Sequence, residues 1–177
     1  MNLLAVSGSL RTGSSNLRLL EAVRLLAPAG FFVTVRGPLD DLLHFNPDIE
    51  EAGLPDVAAQ WRAAVDACDV LLISSPEYAH GVPGVMKNAL DWLVGGMEMT
   101  DKPFALLNAT PPGEYAQASL IETLRIMGGK HLKTVSIEVP LRGSKLDAAG
   151  IAAHPEFSPS IRRMFAALEQ HSTGVNT

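Results

Sequence analysis

Five short apolar runs recur along the chain, separated by polar, glycine-rich or amphipathic segments. They begin roughly 30 to 40 residues apart, the length of a strand, a helix and two loops. Nearly every position in the first four runs is apolar, which is typical of parallel strands covered by helices on both faces. We therefore predict a five-stranded parallel sheet, with strands at residues 3–6, 31–35, 70–74, 104–108 and 132–139.

Helical patterns fill the intervals between these runs. Leu19, Val23 and Leu26, for example, lie on one stripe of a helix. We predict helices at residues 15–27, 55–67, 84–94, 114–127 and 158–170, and surface loops at residues 37–54 and 142–157. Strands that alternate with helices predict one doubly wound α/β domain. Ligands of such domains bind beyond the carboxyl ends of the strands.

The composition limits the class of protein. The chain has 177 residues, against roughly 150 in an ordinary domain, so we expect residues 1–177 to form a single domain. Charged residues make up 19%, below the approximately 25% of typical soluble proteins, which favours a homo-oligomer with buried subunit contacts. The net charge of -5 and the lack of a basic run disfavour nucleic acids and anionic membranes as partners.

Cysteine use and the length of the apolar runs point to a cytoplasmic protein. Cys68 is the single cysteine, so no intramolecular disulfide can form. The apolar runs fall far short of the roughly 18 residues that cross a bilayer. The N-terminus has no basic segment ahead of an apolar one, as a signal peptide would have.

The loop after the first predicted strand (residues 7–16, the first-strand loop) is rich in glycine, serine and other small polar residues. Free N–H groups at a helix N-terminus, hydroxyls and the guanidinium of Arg11 together suit a phosphate group. Ser14 stands where a nucleoside triphosphate loop has its lysine, and the chain has no GxGxxG, so a monophosphate fits better. The alternative is that Ser15 and Asn16 only cap the helix and Arg11 is only solvated.

The segment after the third predicted strand reads SSPEYAHGVPGVMKNALDWL over residues 74–93. Prolines bound a loop (residues 75–83, the third-strand loop) that offers backbone N–H groups and Tyr78, and a helix restarts at Gly84. In a parallel sheet with a switch point, this loop, the first-strand loop and the loop after the fourth strand come first in the search for a ligand site.

The two loops together resemble those of the NAD(P)H-dependent FMN reductases, flavodoxin-like enzymes that include quinone, azo-dye and chromate reductases. The pattern GSLRxGSxN follows the first strand and PEYxxxxPGxxKNALDW follows the third, and the resemblance extends over residues 3–139. It implies a flavodoxin-like three-layer sandwich, FMN as cofactor, NADPH or NADH as electron donor, and a homodimer or homotetramer with the helix from Gly84 near an interface.

The resemblance also implies which residues hold the flavin. The FMN phosphate is expected at Ser9, Arg11, Ser15 and Asn16. The ring is expected along the backbone of Pro76, Glu77, Tyr78, Ala79 and His80. Many relatives have asparagine after the tyrosine, where this chain has Ala79, so the contact expected there comes from the backbone. A looser match in the loop after the fourth strand (residues 108–113, the fourth-strand loop) adds Thr110 and Gly113.

The implied reaction passes hydride from NAD(P)H to flavin N5 and then two electrons to a small acceptor: a quinone, an azo compound, chromate or free flavin. The flavin carries this chemistry, so we expect no catalytic side chain. A flavodoxin-type electron carrier is the main alternative, and a sensor that has lost turnover is another.

Other conspicuous residues are expected to be structural. Trp92 and Leu93 fit core or dimer contacts, Glu77 fits a carboxylate that fixes its loop, and Cys68 fits a packed core thiol. Tyr78 either contacts the flavin or closes its loop as a partly buried ring. We expect no metal site, because no ligand motif joins the scattered histidines His44, His80, His131, His154 and His171.

Overall fold

The computed structural model describes residues 1–174 and consists of a parallel sheet between layers of helices. The strands are β1 (Asn2–Ser7), β2 (Phe32–Arg36), β3 (Val70–Ser74), β4 (Pro103–Asn108), β5 (Lys130–His131) and β6 (Ile137–Glu138). The helices are α1 (Ser15–Leu25), α2 (Pro47–Ala52), α3 (Asp56–Ala67), α4 (Gly84–Val94), α5 (Glu114–Ile126), α6 (Ala148–Ala153) and α7 (Ser158–Gly174), with a 3₁₀ helix at Leu39–Asp41. Among these residues, no helix combines the length and apolar character that a membrane span requires.

The strand order is β2-β1-β3-β4-β5, all parallel, with β6 also paired to β4. This is the flavodoxin-like order, so the predicted fold class is confirmed. The chain leaves β1 toward β2 on one side and reaches β3 on the other, which opens a crevice at their carboxyl ends. The first-strand and third-strand loops meet at this switch point.

Alternate side chains of the central strands pack into two separate hydrophobic cores. Leu4 and Val6 of β1 belong to a core with α3, α4 and α5, whereas Leu3 and Ala5 belong to one with α1, α6 and α7. Such burial on both faces accounts for the continuous apolar runs of the central strands, because neither face can be polar.

The predicted fifth strand at 132–139 is wrong over most of its length. Only short segments at either side pair with β4, because residues 132–136 form a turn in which Val135 and Ser136 donate their N–H groups to the Leu132 carbonyl, both at 3.1 Å. The Ser136 hydroxyl accepts from the Leu106 N–H of β4 at 3.0 Å. One side chain thus replaces a ladder hydrogen bond and splits the strand.

The predicted surface loops at 37–54 and 142–157 contain short helices. The Asn46 side chain accepts from the Asp48 N–H at 2.9 Å, with Pro47 as the first residue of α2. Asp147 caps α6 in the same way, accepting from the Gly150 N–H at 2.7 Å. Both are helix starts that the sequence itself marks with a capping side chain.

Helix α4 buries its tryptophan inside the chain. Trp92 is 0% exposed, and its indole N–H donates to the Leu43 carbonyl at 2.8 Å. Its ring also meets Phe45 edge to face, with centroids 5.1 Å apart. Leu93 is 1% exposed. Both residues therefore belong to the core rather than to a dimer contact.

Candidate functional site

The first-strand and third-strand loops are in direct contact. The Gly8 N–H donates to the Ser74 carbonyl at 2.9 Å, and the Ser74 hydroxyl donates to Oδ1 of Asn16 at 2.9 Å. A Cβ atom at Gly8 would lie 2.2 Å from the Ser75 hydroxyl oxygen and 2.8 Å from its Cβ. Only glycine allows this approach without displacement, which explains the residue type at the start of the loop.

Ser14, rather than Ser15 or Asn16, caps helix α1. Its hydroxyl accepts from the Leu17 N–H at 3.5 Å. Asn16 instead bonds to Ser74 through its amide oxygen, so its NH₂ group is the part that can donate to a ligand. The simple capping interpretation of Ser15 and Asn16 is therefore wrong, and the N–H groups of the first turn of α1 have no acceptor inside the helix.

A cleft of about 200 Å³ lies where the loops meet at the carboxyl ends of the strands. Its walls are formed by Ser9, Arg11, Ser14, Ser15, Asn16, Pro76, Glu77, Tyr78, Thr110 and Arg142. The structure thus brings most of the predicted site residues together, whereas Ala79, His80 and Gly113 lie outside these walls. Ser14 and Arg142 were not predicted as site residues.

Glu77 fixes the third-strand loop to helix α5. Its carboxylate accepts from the Ala116 N–H at 2.8 Å, one of the N–H groups that the first turn of α5 leaves without a helical partner. The negative charge is also favourable at a helix N-terminus. The prediction of a loop-fixing carboxylate is confirmed by this contact.

The third-strand loop turns sharply between Tyr78 and Gly81. The two residues exchange backbone hydrogen bonds of 3.1 and 2.9 Å, and both residues between them are left-handed, Ala79 at φ 50° and His80 at φ 59°. Such tight turns ordinarily use asparagine or glycine at these positions. The His80 ring stacks on Tyr115 with centroids 4.1 Å apart, and Tyr78 is 58% exposed. Tyr78 is therefore available at the cleft rather than buried.

Replacing Ala79 by glycine is expected to raise the free energy of unfolding by about 0.5–1 kcal/mol, because glycine adopts the left-handed conformation without steric cost. The matched control is Ala63→Gly in the interior of α3, which should lower it by about 1 kcal/mol. Equilibrium denaturation in urea measures both changes. Equal destabilisation by the two substitutions would show that the turn is not strained.

The fourth-strand loop is organised by Asn108. Its side chain donates to the Pro112 carbonyl at 2.8 Å and accepts from the Thr110 N–H at 3.1 Å. Gly113 is left-handed, at φ 54°, and precedes α5. Thr110 is thereby held at the wall of the cleft, while Gly113 serves the start of the helix. The side-chain role of Asn108 was not predicted.

The residues with shifted pKa values lie outside the cleft walls. Burial raises the pKa of Cys68, whose thiol donates to the Val65 carbonyl at 3.2 Å, so it stays a protonated core group as predicted. Burial lowers the pKa of His131, which lines a separate cavity of about 370 Å³ between α5 and the split edge of the sheet. Across the described part of the chain, no three His, Cys, Asp or Glu side chains gather as a metal site would need.

Comparison with known proteins identifies the family of the chain. The model of the NADPH-dependent FMN reductases matches residues 1–141. The chain belongs to this family. An NAD(P)H-dependent FMN reductase of Pseudomonas aeruginosa is 29% identical over 175 residues, which cover 96% of this chain and 94% of that enzyme. The family resemblance drawn from the two loops is thus confirmed.

A second relative and a solved structure support the same family assignment. A 2-hydroxy-1,4-benzoquinone reductase of Burkholderia is 40% identical over 96 residues, which cover 52% of this chain and 49% of that enzyme. The structure of a flavoenzyme NAD(P)H:(acceptor) oxidoreductase from Paracoccus denitrificans superposes with a TM-score of 0.68 at 26% identity, covering 88% of this chain and 81% of that one.

The residues present fit the FMN of this family. The cleft combines serine hydroxyls, the N-terminus of α1 and the guanidinium of Arg11, which are the donors that bind a phosphate monoester. The glycine at position 8 lets the backbone of the first-strand loop lie directly against the third-strand loop. Tyr78 presents an exposed ring at the same cleft, where a planar ligand can be contacted.

Proposed function

We propose that the protein is an FMN-dependent NAD(P)H oxidoreductase that transfers two electrons from NADPH or NADH to a small acceptor. The observation that carries this proposal is the cleft in which the first-strand loop, the third-strand loop and Thr110 meet. Family membership supports it over a longer part of the chain, since the family model matches residues 1–141. We propose that residues 1–177 act as one FMN-binding domain.

The cofactor would be held by residues with distinct tasks. Ser9, Arg11, Ser15 and Asn16 would bind the phosphate, because they combine donors with positive charge at the N-terminus of α1. The backbone of Pro76, Glu77, Tyr78, Ala79 and His80 would lie along the ring, with Thr110 and Gly113 in the neighbouring loop. Bound FMN supplies the hydride and electron-transfer chemistry, so the protein's task is to bind and orient.

Three contacts keep the ring-binding surface rigid before any ligand arrives. Glu77 ties the third-strand loop to α5 at 2.8 Å, and the paired backbone bonds between Tyr78 and Gly81 close its turn. The stack of His80 on Tyr115 is the third contact and, like that of Glu77, joins the loop to α5. A loop fixed in this way loses little freedom on binding, which favours affinity.

We propose quinones as the acceptor class, with azo compounds, chromate and free flavin as the other candidates. The support is the benzoquinone reductase among the relatives, which is 40% identical over 96 residues, together with the exposed Tyr78 at the cleft. An acceptor screen on FMN-loaded protein tests this choice. A rate with chromate far above that with benzoquinone would contradict it.

We further propose a homodimer or homotetramer in the cytoplasm. Exposed apolar side chains support a subunit contact near the end of α4: Leu43 is 58%, Val94 59% and Met97 75% exposed. Sedimentation at micromolar concentration should show the oligomer. A monomer alone would contradict it.

Replacing Arg11 by alanine is expected to raise the Kd for FMN by about 10- to 150-fold, because a charge-assisted hydrogen bond of about 1.5–3 kcal/mol is lost. Riboflavin, which lacks the phosphate, should bind both proteins equally. Quenching of flavin fluorescence measures the two affinities. Arg24→Ala is the control, since this arginine pairs with Glu21 on the outer surface of α1. Equal loss of FMN and riboflavin binding would contradict the phosphate role of Arg11.

A flavodoxin-type carrier remains the competing function, and anaerobic titration separates the two. The oxidoreductase should consume NADPH with a quinone and go from oxidised to fully reduced flavin without a persistent radical. A stable blue or red radical with negligible NADPH oxidation would favour the carrier.

A further inference from the structure

Arg142 lies just beyond the last residue matched by the family model, residue 141. The chain continues beside the end of β4 after β6, since Val139 donates its N–H to the Asn108 carbonyl and Leu141 donates to the Ala109 carbonyl, both at 2.9 Å. Arg142 follows directly and lines the same cleft as Arg11. Its position is therefore set by sheet-like pairing up to the preceding residue.

Helix α1 holds the segment that follows. The Arg18 guanidinium donates to the Leu146 carbonyl, to the Ser144 carbonyl at 3.1 Å and to the Ser15 hydroxyl at 3.1 Å. The Ser144 N–H donates to the Leu141 carbonyl at 3.0 Å, which closes a turn around Arg142. The guanidinium of Arg18 thus fixes this segment on the first turn of α1. Arg18 itself is not part of the cleft wall.

The charges in the cleft favour a second guanidinium as a ligand of the phosphate. A phosphate monoester carries roughly -1.5 to -2 at pH 7, whereas Arg11 supplies a single positive charge. The carboxylate on the cleft wall, Glu77, is held by the Ala116 N–H and adds negative charge near the ligand. A second arginine in the cleft wall would balance the phosphate and compensate for that carboxylate.

We propose that Arg142 is a second cationic ligand of the FMN phosphate and that Arg18 is the residue that positions it. This inference rests on the proposed FMN binding. The phosphate is favoured over the 2′-phosphate of NADPH because Arg142 shares its cleft with Ser9, Ser15 and the N-terminus of α1. Arg142 belongs to no part of the two loop motifs through which the family was recognised.

Arg142→Ala tests the first half of the proposal. It should weaken FMN binding about 10-fold, the lower end for a charge-assisted contact because the side chain is exposed. Riboflavin binding should stay unchanged, and the salt dependence of the FMN Kd should become shallower. Lys145→Ala removes one positive charge from the same loop outside the cleft wall and serves as the control. Fluorescence quenching measures the Kd for FMN and the Kd for riboflavin, each at low and at high salt.

Three outcomes would overturn this assignment. They are an unchanged Kd for FMN in Arg142→Ala, an equal effect of Lys145→Ala, and an increase in the KM for NADPH alone. A failure of the proposed function looks different, because wild-type protein would then bind neither FMN nor riboflavin.

A double-mutant cycle tests the positioning role of Arg18. Arg18→Ala should weaken FMN binding in the wild-type background and have no further effect in the Arg142→Ala background. Arg18 also contacts Ser15, so an undiminished effect in the Arg142→Ala background would assign it to Ser15 and overturn the positioning role. Riboflavin affinity reports whether each variant is folded. If Arg18→Ala does not fold, Ser144→Gly and Ser144→Pro change the loop that Arg18 holds. If neither of these variants changes the FMN affinity, the positioning role of Arg18 is overturned as well.

Discussion

Replacing Gly8 by alanine is expected to weaken FMN binding by about tenfold or more and to lower the free energy of unfolding by about 1–3 kcal/mol. The added Cβ would lie 2.2 Å from the Ser75 hydroxyl oxygen and 2.8 Å from its Cβ. Ordinary contact needs a separation of roughly 3.5 Å, so the two loops have to move apart by about 1 Å. That displacement would misalign the hydrogen-bond donors that we propose for the FMN phosphate.

A compensating substitution makes this prediction specific. Ser75→Gly in the Gly8→Ala protein removes both atoms that clash and leaves the Cα atom at 3.2 Å, so it should recover much of the FMN affinity. Gly37→Ala is the matched control, because a Cβ there meets nothing within 4 Å. Fluorescence titration and urea denaturation give the two quantities. Unimpaired FMN binding by Gly8→Ala would show that the loops separate without cost to the site.

Replacing Trp92 by alanine is expected to lower the free energy of unfolding by about 3–5 kcal/mol, the cost of emptying the space of a large buried ring. Trp92 is 0% exposed and also loses its hydrogen bond to the Leu43 carbonyl. Its contact with Phe45 closes the core over the segment before α2. Equilibrium denaturation followed by far-ultraviolet circular dichroism measures the loss.

Two further variants calibrate the Trp92 result. Trp92→Phe keeps an aromatic ring and should cost less than half as much. Ile126→Ala changes a side chain that is 80% exposed and should stay within about 0.5 kcal/mol of wild type. A Trp92→Ala protein as stable as Ile126→Ala would contradict the core position of Trp92.

The parts of the fold that the sequence predicts well are those set by local pattern. Helix α4 was predicted at 84–94 and spans Gly84–Val94, because proline and glycine mark its start and its buried residues repeat at helical spacing. The third strand was predicted at its observed bounds, Val70–Ser74. Central strands are apolar throughout, so a short window of residues is enough to recognise them.

The split fifth strand shows where local pattern fails. Residues 132–139 alternate and are β-branched enough for a strand, yet Ser136 turns its hydroxyl onto Leu106, which lies 30 residues earlier. An edge strand has one neighbour instead of two, so a single side-chain hydrogen bond can compete with the ladder. Hydrophobic periodicity contains no information about that competition.

The residues of the candidate site likewise divide into those that local sequence predicts and those that it does not. Ser9, Arg11 and Tyr78 stand in continuous motifs next to predicted strands, so their place at the cleft could be predicted from one loop each. Arg142 reaches the cleft through pairing with β4 and through Arg18 contacts that span 126 and 128 residues. Within its own segment nothing distinguishes Arg142 from a solvated arginine. Only the tertiary structure brings it to the cleft that Arg11 also lines.

The break between β5 and β6 also bears on how the molecule behaves at high concentration. An uninterrupted border strand exposes a row of free peptide groups on which a foreign chain can stack and begin a fibril. Here a turn separates two strands of two residues each, Lys130–His131 and Ile137–Glu138. Neither strand is long enough to pair with an extended foreign segment. The turn at Ser136 therefore shortens the stretch of this border on which another strand could pair.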